Sequence, residues 1–151
     1  MADEYEPLKI KKTFEASRQA VWDVWTMPGK LREWYMPEPF TVERCELDVK
    51  VDGELRIDTK GPDGVVNTVT GVFKVVKEPE ELVMTNVVHD AEGNPLFEVQ
   101  HSLVLTEADG KTTLDLTSEV LTAGPNAAPF LGGMEQGLQQ ALDQLASIVE
   151  E

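Results

Sequence analysis

The chain is expected to fold as an α+β domain in which a curved antiparallel sheet wraps a long C-terminal helix, in the order β-α-α-β-β-β-β-β-β-α. Three observations lead there. From Phe40 to Leu121 strand-like text alternates with turn chemistry. After Pro129 an apolar i, i+3, i+4, i+7 pattern runs for some twenty residues. Between the first strand and the rest lie two short stretches with helical spacing. A curved sheet has one apolar face to cover, and an amphipathic helix laid across it does so.

Order is expected to begin near Leu8, because Asp3, Glu4, Glu6 and Pro7 offer nothing to bury; residues 1–7 read as a disordered lead-in and 8–150 as one domain. Leu8, Ile10 and Phe14 sit at even spacing, with Lys9, Lys11 and Thr13 between them, as in a half-buried strand. Ser17 is placed to cap a helix carrying Val21, Val24 and Trp25. Pro28 suits the first turn of a second short helix with Leu31 and Trp34, closed by Pro37 and Pro39.

Six further strands are predicted at about 41–51, 54–60, 65–77, 81–89, 96–106 and 111–121. They are separated by Asp52-Gly53, Gly61-Pro62-Asp63-Gly64, Glu78-Pro79, the Asp90 to Pro95 stretch and Asp109-Gly110. Connections this short make an antiparallel meander. The last helix carries Leu131, Met134, Leu138, Ala141, Leu142, Leu145, Ile148 and Val149 on one face. Space between helix and sheet is expected to form a cavity.

Composition narrows the function. Thirteen Lys and Arg against 28 Asp and Glu give a formal charge of −15, which repels phosphate backbones and anionic bilayers, so neither nucleic acid nor membrane is an expected partner. The acidic surface is either simple solvation or a match for a partner with a basic patch. Cys45, the one cysteine among 151 residues, leaves no intramolecular disulfide and no multi-cysteine metal site. It reads as a small core residue or an oxidisable thiol. The acidic N-terminus lacks the apolar core of a signal peptide and no 18 apolar residues run together, so the cytoplasm is the expected compartment.

The histidines are two. If Asp109-Gly110 is a two-residue turn, counting back pairs Leu105 with Leu114, Leu103 with Leu116, His101 with Ser118 and Val99 with Val120, all on one face. His101 and Ser118 then form an isolated polar spot on an apolar wall. They either satisfy one another or a buried water, orient the polar end of a ligand, or in the least economical reading place His101 in catalysis. His89, at a strand end, reads as a solvated loop residue. Trp22, Trp25, Trp34, Met36 and Phe40 are either core or the aromatic border of a ligand site. No metal, nucleotide, phosphate-loop or nucleophile-elbow signature is found, and no cofactor is expected.

The run Phe14-Glu15-Ala16, Val21-Trp22, Trp25-Thr26, Pro28, Leu31 and Trp34 resembles the opening of the activator of heat-shock protein 90 ATPase homologue (Aha-type) family, within the START-like (SRPBCC) superfamily. Asp52-Gly53-Glu54-Leu55-Arg56, Pro62-Asp63-Gly64, Gly71-Val72-Phe73, Glu78-Pro79-Glu80-Glu81-Leu82-Val83 and Gly133-Met134-Glu135-Gln136-Gly137-Leu138 continue the likeness over about residues 8–150. Two positions depart from it. Leu138 stands where the family's last helix usually has Trp, and Gly53 stands alone where a Gly pair is usual.

The resemblance implies a helix-grip fold with an internal cavity and no shared catalytic constellation. Taken with the apolar wall and its single polar spot, it leads to an expected non-enzymatic binding of a small, mostly apolar molecule, with His101 and Ser118 as polar contacts and Trp25, Trp34, Leu103, Leu116, Met134 and Leu138 lining the space. The second reading is an interaction module acting on a chaperone or another stress-related protein. In the eukaryotic activators a separate N-terminal domain supplies much of that contact, and this chain is expected to have no room for one. A third is a cyclase or hydrolase of the superfamily, which would need a second titratable group beside His101.

Overall fold

The computed structural model describes residues 7–36, 39–124 and 134–150. The lead-in expected at 1–7 lies, Pro7 apart, outside the described residues, as do Pro37, Pro125, Pro129 and Leu131. The elements follow the expected order. They are β1 (Leu8–Phe14), α1 (Arg18–Thr26), α2 (Pro28–Leu31), β2 (Thr41–Leu47), β3 (Glu54–Lys60), β4 (Val66–Lys77), β5 (Glu81–His89), β6 (Pro95–Ala108), β7 (Lys111–Ala123) and a final helix, here α3 (Met134–Val149).

All seven strands form one antiparallel sheet in the order β1-β7-β6-β5-β4-β3-β2. Strands β2 to β7 are a meander, and β1 adds to its end against β7, with Ile10 opposite Leu116 and Leu8 opposite Ser118. The helices α1 and α2, inserted between β1 and β2, thus join the two edges of the sheet. Ser17 caps α1 as its position suggests, its hydroxyl accepting from the Ala20 amide at 3.2 Å.

One face of the sheet is the core. Leu55, Ile57, Val69, Phe73, Leu82, Met84, Leu103, Leu105, Leu114 and Leu116 from the strands meet Val21, Trp22, Val24 and Trp25 of α1 and Ala141, Leu142 and Leu145 of α3. A second, smaller cluster of Leu96, Phe97, Val99 and Val120 has Met134 packed against it. The final helix is tied down by polar contacts as well. Gln144 Nε2 donates to the carbonyls of Trp34 and Met36, and the Lys12 ammonium meets the Asp143 carboxylate at 3.0 Å.

Three local expectations are corrected. β2 ends at Leu47 rather than 51, because the chain turns back early: the Asp48 amide donates to Glu54 O and the Gly53 amide to Lys50 O. A Cβ on Gly53 would sit 1.9 Å from Asp48 O, so this turn accepts only glycine there. α2 closes after one turn, and Trp34 lies in the turn that follows it. His89 is the last residue of β5, half-buried, with its Nε2 within 3.0 Å of Thr70 Oγ1; it is no solvated loop residue. The Asp109-Gly110 turn matches its prediction, with φ of 55° and 77° at the two central positions, as the hairpin turn demands.

Candidate functional site

The long β6–β7 hairpin positions the polar spot. Its register sets Leu105 opposite Leu114, Leu103 opposite Leu116, His101 opposite Ser118 and Val99 opposite Val120, the pairing counted from the turn. Leu103 and Leu116 belong to the main core cluster, while Val99 and Val120 belong to the smaller one. His101 and Ser118 therefore form a polar band between two apolar clusters. The imidazole Nδ1 and the serine Oγ lie 2.7 Å apart, a hydrogen bond in either tautomer. Ser118 is only 1% exposed.

A third member of the band was not expected. Strand β5 sets Met84 opposite His101 and Asn86 opposite Val99, so Asn86 is the diagonal neighbour of His101 on the same face. Its side chain is 6% exposed, and its Oδ1 is buried with no hydrogen-bond partner. On the far side of Asn86 is Gly71 of β4. A Cβ at Gly71 would lie 3.2 Å from Asn86 Oδ1, so the amide leans over the one inner position of β4 that has no side chain. The sequence carried a signal for this residue. In Leu82, Met84, Asn86 and Val88 one Asn interrupts an alternating apolar face. Its pairing with β6, however, passes through a bulge between Val88 and His89 that no count across the Asp90 to Pro95 stretch supplies.

Burial pushes the His101 imidazole down from its ordinary 6.5 to about 4. Near neutrality the ring is uncharged, and the band is neutral throughout. The lowered value also sets a pH dependence. Between pH 6.5 and 4 the unfolded chain binds a proton that the folded chain refuses, so stability falls as pH is lowered through that window and is fully present above it. His101→Gln keeps a hydrogen-bonding side chain and removes the titration. In urea denaturation at pH 7 and 4.5, the stability difference between wild type and this variant is expected to change by about 2 kcal/mol, with wild type the larger loser on acidification. A pH-independent difference would contradict a half-buried His101 kept neutral.

The remaining expected lining residues are distributed unequally. Trp25 and Leu103, with Trp22, Leu82 and Leu105, border a void enclosing about 180 Å³ of space between atoms but nowhere wide enough for a water molecule. Trp25 Nε1 is buried with no hydrogen-bond partner. Trp34 is packed edge-on against Trp25 at 4.6 Å and donates its Nε1–H to Val24 O at 2.8 Å. It belongs to the main core cluster, and it makes no hydrogen bond to the polar band. Leu116 is buried beside Leu103, Leu138 is half-buried against the main cluster, and Met134 lies against the smaller one. Beside Trp25 and Leu103 the space is thus too narrow for a water molecule, and occupying it requires side chains to move apart.

Cys45 is half-buried on β2, and burial pushes its thiol up, away from thiolate reactivity. Its neighbour Tyr35 is raised to about 12, by burial first and then by Cys45. Among the described residues no cluster of three or more His, Cys, Asp or Glu is placed to hold a metal ion, and no helix is long and apolar enough to cross a membrane.

Comparison with known proteins places the fold. The family model described as Activator of Hsp90 ATPase homolog 1-like protein matches residues 15–150. Solved structures share the fold along the chain. A protein from Rhizobium leguminosarum is similar with a TM-score of 0.85 at 18% identity, over 96% of this chain and 94% of its own. A protein from Arthrobacter aurescens gives 0.83 at 24% identity, over 97% and 87% respectively. One from Chromobacterium violaceum gives 0.82 at 21% identity, over 97% and 99%. No curated protein sequence matches the chain.

Proposed function

The chain belongs to the Activator of Hsp90 ATPase homolog 1-like family, and we propose that within it residues 8–150 act as one unit that binds a small, mostly apolar molecule without transforming it. The ligand would sit between α3 and the inner face of the sheet, against the Asn86–His101–Ser118 band. The observation that carries this reading is the band itself. A buried acceptor without a partner costs about 1–3 kcal/mol, and a fold tolerates such a loss where a ligand later satisfies the group. A lone hydrogen-bonded pair in the core would need no Asn86 beside it.

Catalysis finds less support. His101 has Ser118 as its hydrogen-bond partner, and none of Met84, Val99, Leu103 and Asn86, its neighbours on the inner face, can share a proton with it near neutral pH. A chaperone or another protein with a basic patch remains the alternative partner, carried by the charge of −15.

Two-dimensional amide NMR of labelled protein, titrated with sterol-like rings, flavonoids and small apolar acids, tests the reading. Shifts are expected to cluster on residues 84–88, 99–105, 114–120 and 134–145. Leu138→Trp, which adds volume at the half-buried helix position, is expected to weaken the same titration about tenfold or more, corresponding to about 1.4 kcal/mol. A silent spectrum across the whole set would refute a binding role for this face, and salt-sensitive capture of a basic partner would then take its place.

A further inference from the structure

The inner face also specifies what kind of polar group its ligand carries. We infer that the ligand is uncharged and presents a hydrogen-bond donor, a hydroxyl or an amide N–H, to Asn86 Oδ1, and that carboxylates and ammonium ions are rejected. This rests on the binding role proposed above and concerns the chemistry of that same site.

The argument is one of matching donors to acceptors. With the amide oriented as it lies, Asn86 Oδ1 is a buried, unpartnered acceptor, and a donor satisfies it. An ionised carboxylate has only lone pairs and would face that oxygen with like polarity. An ether or ketone has the same defect. The other half of the site completes the pattern. When Ser118 donates to His101 Nδ1, the ring's Nε2–H is left to give, and Nε2 has no hydrogen-bond partner among the described residues. When Nδ1–H donates instead, the serine hydroxyl proton is left. Either tautomer leaves the pair one donor. A hydroxyl, which accepts and donates at once, answers both sides of the band; diagonal neighbours on adjacent strands, with Cα atoms about 7–8 Å apart, bring both within reach of one small group.

Charge is excluded by what surrounds the band. The inner-face neighbours in register are Gly71, Met84, Val88, Val99, Leu103, Leu116 and Val120, with Leu8 across from Ser118; none is ionisable. A buried carboxylate here would find a cation only by protonating His101, whose charged form burial disfavours, and a buried ammonium would find no anion among these strand neighbours. The net charge of −15 adds a long-range bias against anions.

The test uses one apolar body with four ends: 2-naphthol, 2-methoxynaphthalene, naphthalene and 2-naphthoate, titrated at pH 7 with amide NMR as the readout. 2-Naphthol is expected to bind at least tenfold more tightly than the methyl ether, and 2-naphthoate to bind more weakly than naphthalene. Asn86→Leu, similar in volume and apolar, is expected to bring the naphthol-to-ether ratio close to one while the ether still binds. The same variant without ligand is expected to melt a few degrees higher than wild type, because it removes an unsatisfied buried oxygen. Equal binding of naphthol and ether, tightest binding of naphthoate, or a lower melting temperature for Asn86→Leu would each overturn the donor requirement while leaving ligand binding in place. Absence of inner-face shifts with all four compounds would overturn the binding role itself, and the donor requirement with it.

Discussion

Gly71→Ala is expected to lower the melting temperature by roughly 6–12 °C, the shift that a loss of about 3 kcal/mol produces in a domain of this size. The reason is steric and local. A Cβ built on Gly71 would stand 1.7 Å from the carbonyl oxygen of Thr85 on the neighbouring strand. The obstacle is backbone in the middle of a sheet, so no side-chain rotation relieves it, and β4 must draw away from β5. The displacement would be felt at Asn86, whose amide lies over the same position, so inner-face binding is expected to fall together with stability. Gly29→Ala is the control, because nothing lies within 4 Å of a Cβ there. Calorimetry of the two variants checks the contrast; equal melting temperatures would mean that the β4–β5 pairing yields far more easily than its register implies.

Trp34→Ala is expected to cost about 3–5 kcal/mol in urea denaturation, about a fifth or more of the stability of an ordinary domain. Trp34 is 2% exposed and buttresses Trp25 at 4.6 Å and Tyr35 at 6.3 Å. Its indole N–H donates to Val24 O, tying the turn after α2 back onto α1. Its own carbonyl receives Gln144 of α3, so the residue joins three helical segments at one point. Trp34→Phe retains most of the packing and strands the Val24 carbonyl, and is expected to cost about 1–2 kcal/mol. A loss below about 1 kcal/mol for the alanine variant would place Trp34 at a replaceable border rather than in the core.

The contrast between these two residues shows how sequence legibility varied. Trp34 was visible as a large aromatic in an aromatic-rich stretch, where composition favoured core but left a ligand border open. Its hydrogen bond to Val24 and its contact with Trp25 fix it within the core cluster. Gly71 was visible only as part of a family motif. Its need for glycine comes from the carbonyl of Thr85, a residue 14 positions away on another strand.

Periodicity and turn chemistry by themselves determined the element order, the α+β class and the register of the β6–β7 hairpin. Those are local properties, since a two-residue turn with positive φ at both positions sets every pair that follows it. His101 and Ser118 were therefore paired by counting alone. Asn86 was not, because the β5–β6 connection is longer and a bulge at Val88 and His89 shifts the count. Tertiary structure alone decided that this third polar side chain joins the other two. It also decided that the space beside Trp25 and Leu103 is a narrow void rather than an open chamber, because the volume between a helix and a sheet is what remains after side chains from distant elements have interdigitated, and no single segment carries that sum.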